Sequence, residues 1–322
     1  MAADDARRRH WRISVSAGLP HRGDGTTLAT PVARPRRQSS VLEITVKGFR
    51  YVPGSAEIKQ TMIWGKFRHR VSLLIDERTN SQFTGFLRLP TQFEALSHYV
   101  SAMRSDGSGS SRPLAIGVIG CSNGAEAFTT ASVLLQRQPG LAFQVRGYDI
   151  EPAIVAKART ATYAAEEIFN NKIITSEFVD FTFDRVGQQY VVKPHISRCA
   201  CFEVADALGA ELSSRVGLCD IVFAQNFLFH LKRDRARRAL DNIARLLRPG
   251  ALLFADGVDL DLRTKFVRKR GFVPLDFQIG KIHDEARRAR AVGWPTSYWG
   301  LEPLQRDRRD WKARYATIFR AP

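Results

Sequence analysis

The chain has 322 residues, a formal net charge of +17 and a hydrophobic content of 44%. Length and apolar content together suffice for one large domain, or for a domain with a small companion. No apolar run reaches about 18 residues, so we expect no membrane span. The four cysteines form no C-x-x-C pair, which argues against a structural zinc or a disulfide framework and favours a reducing, cytoplasmic location.

The positive charge is concentrated at two ends of the chain. Residues 1–40 carry eight basic and three acidic groups, and residues 262–322 carry fifteen and six. Residues 41–261 are nearly balanced, with 26 basic and 23 acidic groups. Basic ends favour an acidic partner, whether protein, nucleic acid or membrane surface. An arginine-rich composition without any partner explains them equally well.

The first third of the chain predicts a leader and a small module. Residues 1–40 have little apolar periodicity and are expected to be a disordered basic leader. Residues 41–112 are expected to form a small N-terminal module and a linker. Within it, Val41–Leu74 predicts a short strand pair and a helix, and Thr91–Met103 predicts an amphipathic helix. Arg104–Arg112 has the composition of a flexible linker.

Residues 113–322 predict a sheet domain with a basic C-terminal segment. Apolar runs and helical patterns alternate along it, which is typical of a doubly wound, mostly parallel α/β sheet. After the first strand, further strands are expected at Ala142–Tyr148, Ala200–Ala205, Leu218–Ala224 and Ala251–Ala255. Helices are expected at Ala125–Gln138, Glu151–Thr160 and Arg233–Leu247. Short strands in an excursion and an edge hairpin are expected at Phe178–Val192 and at Phe272–Phe277 with Tyr315–Phe319.

The most informative stretch is Leu114–Gly124, LAIGVIGCSNG, an apolar run that ends in Gly120 and a tight loop closed by Gly124. Glycines let the backbone turn sharply and approach a ligand, and the helix that starts near Ala125 presents free N–H groups. Asp149, at the tip of the next strand, can accept both hydroxyl protons of a ribose. Because ligands of open α/β sheets bind beyond the carboxyl ends of the strands, this pattern predicts a nucleoside site.

The spacing of the glycines indicates which nucleoside. The loop lacks the central glycine of the G-x-G-x-x-G dinucleotide fingerprint, and no G-x-x-x-x-G-K-[ST] phosphate loop occurs in the chain. A nucleoside without phosphates fits better. S-adenosylmethionine is the common one, and we expect it as the cofactor.

Five motifs in order resemble those of S-adenosylmethionine methyltransferases of the chemotaxis receptor (CheR) type. The resemblance covers about residues 78–256 and implies a class I, Rossmann-like methyltransferase fold. The ordered series is more specific than any single motif. The motifs are SQFTGFLR at Ser81–Arg88, GCSNGAEAF at Gly120–Phe128, DIE at Asp149–Glu151 with Ala158, Arg159 and Tyr163, CDIVFAQNFLFHL at Cys219–Leu231, and LRPGALLF at Leu247–Phe254.

The resemblance also implies roles on the cofactor side of the site. Gln82, Thr84 and Arg88 would reach over the methionine end of the cofactor from the N-terminal module. Glu126 would bind its ammonium group, and Asp149 would hold the ribose hydroxyls. The family has an asparagine where this chain has Gln82, a departure that keeps the hydrogen-bonding capacity.

The resemblance also implies residues beside the adenine and the sulfonium of the cofactor, and it is weaker on the acceptor side. Asp206 and Ala207 would lie beside the adenine, and Gln225 and Asn226 would line the floor near the sulfonium. Gln225 replaces an arginine of the family, and His230 replaces the tyrosine placed near the methyl acceptor. These two departures leave the family's glutamyl substrate open.

The leading hypothesis is a methyltransferase that acts on a glutamate carboxylate in an acidic, receptor-like protein helix. An ionised carboxylate needs no general base, and Arg88 would attract it. A small-molecule or other acceptor with a hydroxyl or amine would need a base, for which His230 is the obvious imidazole. A non-catalytic cofactor-binding scaffold is the third possibility. The absence of an N-P-P-Y motif argues against nucleic-acid bases.

Overall fold

A computed structural model describes residues 84–105, 112–170, 173–290 and 302–322. Some predictions lie outside these residues and stay predictions. They are the leader at 1–40, the strands and helix of Val41–Leu74, the role of Gln82 and most of the linker Arg104–Arg112.

The described residues form alternating strands and helices. The strands are β1 (Leu114–Ile119), β2 (Phe143–Asp149), β3 (Thr162–Ala164), β4 (Phe183–Val186), β5 (Gln189–Val192), β6 (Ala200–Val204), β7 (Cys219–Gln225), β8 (Leu247–Asp256), β9 (Val273–Pro274) and β10 (Ile318–Arg320). The helices are α1 (Pro90–Ser105), α2 (Ala125–Arg137), α3 (Pro152–Thr160), α4 (Ala165–Phe169), α5 (Ser176–Thr182), α6 (Pro194–Ser197), α7 (Leu212–Val216), α8 (Arg233–Ala244), α9 (Leu260–Lys269), α10 (Ile279–Arg290) and α11 (Trp311–Tyr315). A 3-10 turn spans Leu228–His230.

The central sheet of the described residues has the strand order β6-β2-β1-β7-β8-β10-β9. β1 pairs in parallel with β2 on one side and with β7 on the other. β10 is antiparallel and lies between β8 and β9. The predicted doubly wound, mostly parallel sheet is confirmed. Because the strand order reverses direction at β1, a crevice opens at the carboxyl ends of β1 and β7.

Both faces of the sheet are covered. Strand β7 is buried along its whole length, as expected for a central parallel strand. Ile221 and Phe223 belong to the core cluster that includes α1 and α2, whereas Val222 and Ala224 belong to the cluster under α8 and α9. The predicted apolar face of α1, with Phe93, Leu96, Tyr99 and Val100, is buried. The amphipathic pattern therefore identified the packing face of this helix.

The prediction of strands throughout Phe178–Val192 is wrong in its first part. Ser176–Thr182 is the helix α5, and the Thr175 hydroxyl caps it by accepting from the Phe178 amide at 3.2 Å. Only β4 and β5 follow as strands, which pair with β3 in a separate antiparallel sheet. The aromatic and β-branched residues of α5 face the core, so tertiary packing overrode their strand propensity.

The last predicted strands also differ from expectation. Helix α8 ends at Ala244 rather than Leu247, and β8 begins at Leu247 and continues through Pro249 and Gly250. A register shift between Cys219 and Ile221 accommodates these extra residues in the β7–β8 pair. β9 and β10 pair antiparallel as predicted, but α10 and α11 lie between them in the chain. They are an edge pair and not a hairpin.

Candidate functional site

Two glycines turn the loop after β1, each in the left-handed region. Gly120 has a φ of 74° and Gly124 a φ of 89°, values that favour glycine. A Cβ on Gly120 would lie 2.7 Å from the Phe227 ring, and a Cβ on Gly124 would lie 2.9 Å from the Phe202 ring. Gly120 borders the cavity described below. Gly124 packs inward and supports the loop from behind.

Asp149 ends β2 beside this loop. Its Oδ2 accepts a hydrogen bond of 2.8 Å from the amide of Ser122, and its Oδ1 accepts one of 3.1 Å from the amide of Glu151. Burial raises the pKa of Asp149, while these amide hydrogen bonds act in the opposite direction. Each carboxylate oxygen keeps further acceptor capacity. The side chain can therefore bind ligand hydroxyls while it holds the loop.

Arg88 reaches the cavity from the segment before α1. The side chain of Phe86 is fully buried and packs edge-to-face on Tyr163, with ring centroids 4.9 Å apart. The amide of Leu87 donates to the hydroxyl of Thr129 at 3.2 Å. These contacts anchor the two preceding residues, so Arg88 projects from fixed backbone.

Glu126 lies in the first turn of α2 and lines the same cavity. Burial raises the pKa of Glu126 to about 7, the cation of Arg88 opposes this shift, and the carboxylate of Asp256 adds to it. A bound cation would favour the ionised carboxylate. The site therefore has an acid whose charge depends on what occupies the cavity.

The floor of the cavity is the end of β7. Gln225 is 7% exposed, and its Nε2 donates to Oε1 of Gln92 at 2.6 Å. Asn226 has a φ of 58°, and its amide donates to the carbonyl of Asp256 at 3.0 Å. Gly257 approaches so closely that a Cβ there would lie 2.8 Å from Cα of Asn226. The floor is therefore held by side-chain and backbone contacts together.

Two further turns form the rim. Oδ1 of Asp206 accepts from the amide of Leu208 at 2.9 Å, and the carbonyl of Ala207 accepts from Nδ2 of Asn242 at 3.0 Å. These bonds shape the turn after β6. His230 ends the 3-10 turn after β7, and its side chain is half-buried. The rim thus brings an acid and an imidazole to one opening.

These residues surround one cavity of about 210 Å³ at the carboxyl ends of the parallel strands. Gly124 does not line it, and Gln82 lies outside the described residues. The structure therefore brings most of the predicted set together, while the role of each residue remains a proposal. The predicted residues that line the cavity are Thr84, Arg88, Gly120, Glu126, Asp149, Asp206, Ala207, Gln225, Asn226 and His230.

Several lining residues lie outside the predicted set, and two of them matter most for the shape and chemistry of the loop. Phe227 covers Gly120, and Ser122 lies at the centre of the glycine loop. The hydroxyl oxygen of Ser122 is buried and has no hydrogen-bond partner among the described residues. Such an atom is typical of a group that pairs with a ligand. Its position between the two loop glycines was the available signal.

Comparison with known protein families shows which family the chain belongs to. The chain matches the family described as CheR methyltransferase, SAM binding domain, over residues 82–260, more than half of its length. The protein belongs to the CheR methyltransferase family. This confirms the family that the motifs indicated and S-adenosylmethionine as its cofactor.

Relatives of this CheR family member are distant. A Pseudomonas putida protein named "Probable biofilm formation methyltransferase WspC" is 31% identical over 173 residues, which cover 53% of this chain and 40% of the relative. A Campylobacter jejuni chemotaxis protein methyltransferase is 23% identical over 188 residues, covering 58% and 67%. The N-methyltransferase NodS of Bradyrhizobium japonicum, solved with S-adenosyl-L-homocysteine, is 19% identical with a TM-score of 0.28, covering 56% and 67%. The chain thus spans less than half of the Pseudomonas relative.

Two features are absent from the described residues. None of their helices is both long and apolar enough to cross a membrane. In the same residues, no group of three or more His, Cys, Asp or Glu side chains is arranged to hold a metal ion.

Proposed function

We propose that this CheR family member transfers a methyl group from S-adenosylmethionine to the side-chain carboxylate of a glutamate in a partner protein. The observation that supports this most is that Arg88 lines the same cavity as Asp149 and Glu126. One site thus holds two acids suited to the ribose and ammonium of the cofactor, and a cation suited to an anionic acceptor. The names of the relatives, which include a chemotaxis protein methyltransferase, agree with a protein substrate.

The residues around the cavity fit this cofactor. Asp149 would accept hydrogen bonds from the ribose hydroxyls, and Glu126 would face the ammonium group. The buried hydroxyl of Ser122 would gain the partner that it lacks among the described residues. Asp206 and Ala207 would lie beside the adenine. Gly120 leaves room for close approach because it has no Cβ.

The chemistry requires little of the protein beyond position and electrostatics. When bound, S-adenosylmethionine supplies a methyl group on a sulfonium, which is the electrophile. An ionised glutamate is already a nucleophile, so no proton has to be removed. Arg88 would orient it by charge-assisted hydrogen bonds. Gln225 and Asn226 would keep the floor of the cavity rigid beneath the reacting atoms.

The partner is proposed to be an acidic protein segment, such as a receptor-like helix. The chain carries nine more basic than acidic groups in residues 262–322, and several of them, including Arg268, Lys269 and Arg270, are exposed. Such a surface attracts acidic segments and raises their association rate.

His230 supports a second candidate function. It lines the cavity at the position where the resembling family has a tyrosine. An imidazole there could take a proton from a hydroxyl or amine acceptor, including that of a small molecule. A cofactor-binding scaffold without turnover is the third candidate.

Radiolabelled methyl transfer separates these candidates. The acceptors are acidic helical peptides that contain glutamates, and matched peptides with glutamine at the same positions serve as controls. Label that requires glutamate and is released by alkali as methanol supports the proposal. Alkali-stable label points to an amine or hydroxyl acceptor and overturns it. Cofactor binding without transfer to any acceptor supports the scaffold.

A further inference from the structure

The cavity wall that carries Arg88 leads directly into the first turn of α1. The carbonyl of Leu89 accepts the first helical hydrogen bond, from the amide of Gln92 at 2.9 Å. Leu89 therefore stands at the N-cap position, where its apolar side chain cannot accept from the free amides of the first turn. Pro90 has no N–H to satisfy. The amide of Thr91 is left to find a partner elsewhere.

That partner is Glu285 on α10. The amide of Thr91 donates to Oε2 of Glu285 at 3.1 Å, and the hydroxyl of Thr91 donates to Oε1. The two residues are 194 positions apart in the chain. Glu285 thus caps α1 from outside, with a carboxylate that the positive end of the helix stabilises.

The burial of this contact is notable because a carboxylate is costly to remove from water. Glu285 is 8% exposed and Thr91 is fully buried. Within the described part of the chain, no cation lies at ion-pair distance from Glu285, and its hydrogen bonds come from Thr91 alone. The carboxylate therefore serves the first turn of α1 rather than a salt bridge.

The same turn is connected to the cavity floor. Nε2 of Gln92 donates to the hydroxyl of Thr317 at 2.9 Å, and its Oε1 accepts from Nε2 of Gln225. Gln92 is 1% exposed. The first turn of α1 thus lies between Arg88 in the wall and Gln225 in the floor. It is fixed by buried contacts with three later residues, Gln225, Glu285 and Thr317.

We propose that Glu285 is a positioning residue for the cofactor cavity, which acts through Thr91 to hold Arg88 in place. This inference rests on the role that the family motif implies for Arg88 over the methionine end of the cofactor, in addition to its proposed role toward the acceptor. Glu285 lies beyond residues 82–260, the segment that matches the family. The functional site of this chain therefore depends on a helix that the matched segment does not include.

The test is the affinity for S-adenosylhomocysteine, measured by calorimetry on the full chain well below the melting temperature. Glu285→Gln keeps one acceptor oxygen but removes the negative charge from the end of α1, and we expect the affinity to fall by about tenfold. Lys281→Ala is the matched control. Lys281 lies on the same helix and contacts Glu94 of α1 at 3.5 Å, but it is 54% exposed, so its removal should leave the affinity unchanged.

A double-mutant cycle distinguishes positioning from a general structural role. If Glu285 acts through Arg88, Glu285→Gln should cost little further affinity in an Arg88→Ala background. Full additivity of the two losses would overturn the proposal, as would affinity within twofold of the wild type for a folded Glu285→Gln variant. Wild-type affinity of Arg88→Ala would overturn it too, because nothing would remain for Glu285 to act through.

Thr91→Val provides a second route if Glu285→Gln does not fold. It removes the hydroxyl donor and keeps the amide donor, which still holds the carboxylate, so we expect a smaller loss, of about threefold. Unchanged affinity would count against the proposal. All these measurements use binding alone. A chain that binds S-adenosylhomocysteine but methylates no glutamate would refute the proposed function and leave this inference standing.

Discussion

Oδ2 of Asp149 accepts a hydrogen bond of 2.8 Å from the amide of Ser122. This contact joins the end of β2 to the glycine loop after β1. One carboxylate thus shapes the loop and offers acceptor atoms to the cavity. The acid proposed to bind the ribose and the glycine loop therefore form a single structural unit.

Replacing Asp149 by alanine should abolish tight cofactor binding. The variant loses the acceptors proposed for the ribose and the anchor of the loop. We expect S-adenosylhomocysteine affinity to fall by about 100-fold, from two lost hydrogen bonds to a charged group. Calorimetry measures the loss, and circular dichroism checks that the variant is folded. Unchanged affinity in folded protein would contradict the proposed site.

Glu126 should make cofactor binding depend on pH. Its pKa is raised to about 7 in the folded protein, and only the ionised carboxylate attracts an ammonium group. Below pH 7 the affinity should therefore fall, by up to about tenfold per pH unit. Glu126→Gln should bind more weakly at pH 8 and lose this pH dependence. A profile that is the same for both proteins would rule out the role of Glu126.

The same substitution should raise thermal stability at alkaline pH. A carboxyl whose folded pKa exceeds its unfolded value binds more protons in the native state, so its contribution to stability falls as pH rises from about 4.5 to about 7. Glu126→Gln should melt a few degrees higher than the wild type, about 2–6 °C, at pH 8. The difference should shrink towards pH 4.5. Scanning calorimetry at both pH values tests this.

Gly120 and Gly140 form a matched pair for testing the loop. Both have a φ of 74°, but a Cβ on Gly140 would meet nothing within 4 Å, whereas one on Gly120 would meet the Phe227 ring. Gly140→Ala should cost about 1 kcal/mol of unfolding free energy from backbone strain. Gly120→Ala should cost about 1–3 kcal/mol more through overpacking, and it should weaken cofactor binding. If urea unfolding shows the same loss of unfolding free energy for both variants, the close contact between position 120 and the Phe227 ring is contradicted.

Replacing His230 distinguishes a carboxylate acceptor from a hydroxyl or amine acceptor. If the acceptor is a carboxylate, His230→Phe should retain activity within a few-fold, because no proton is removed. If it is a hydroxyl or amine, the rate should fall by about 10²–10⁴-fold. Single-turnover methyl transfer at saturating cofactor measures this step. A large loss with a glutamate peptide would contradict the proposed mechanism.

Sequence reasoning located the residues that follow directly on strands. Asp149, Asp206 and the pair Gln225–Asn226 each end or follow a predicted strand, and parallel strands bring their carboxyl ends to one edge. Their convergence on one cavity was therefore predictable from strand positions alone. Arg88 was found through its motif, because the segment before α1 reaches the cavity by tertiary anchoring of Phe86 and Leu87.

Other features depend on contacts that no local pattern records. Ser122 has an ordinary loop position, and only its buried, unpartnered hydroxyl distinguishes it. Helix α5 has strand-like residues, but burial of Phe178 and Val179 decides its structure. Glu285 resembles a solvated helix acid until its contact with Thr91 is seen. For α5 and Glu285, contacts with residues distant in sequence determine the outcome.

The cap on α1 has a consequence for how the chain is made. Ribosomes add about 5–20 residues per second, so the 194 residues that separate Thr91 from Glu285 take on the order of 10–40 s to synthesise. During that interval the first turn of α1, next to Arg88, lacks its contact with Glu285. Strand β10 has also not yet paired between β8 and β9. From the proposed role of Glu285 we expect tight cofactor binding only after α10 has left the ribosome.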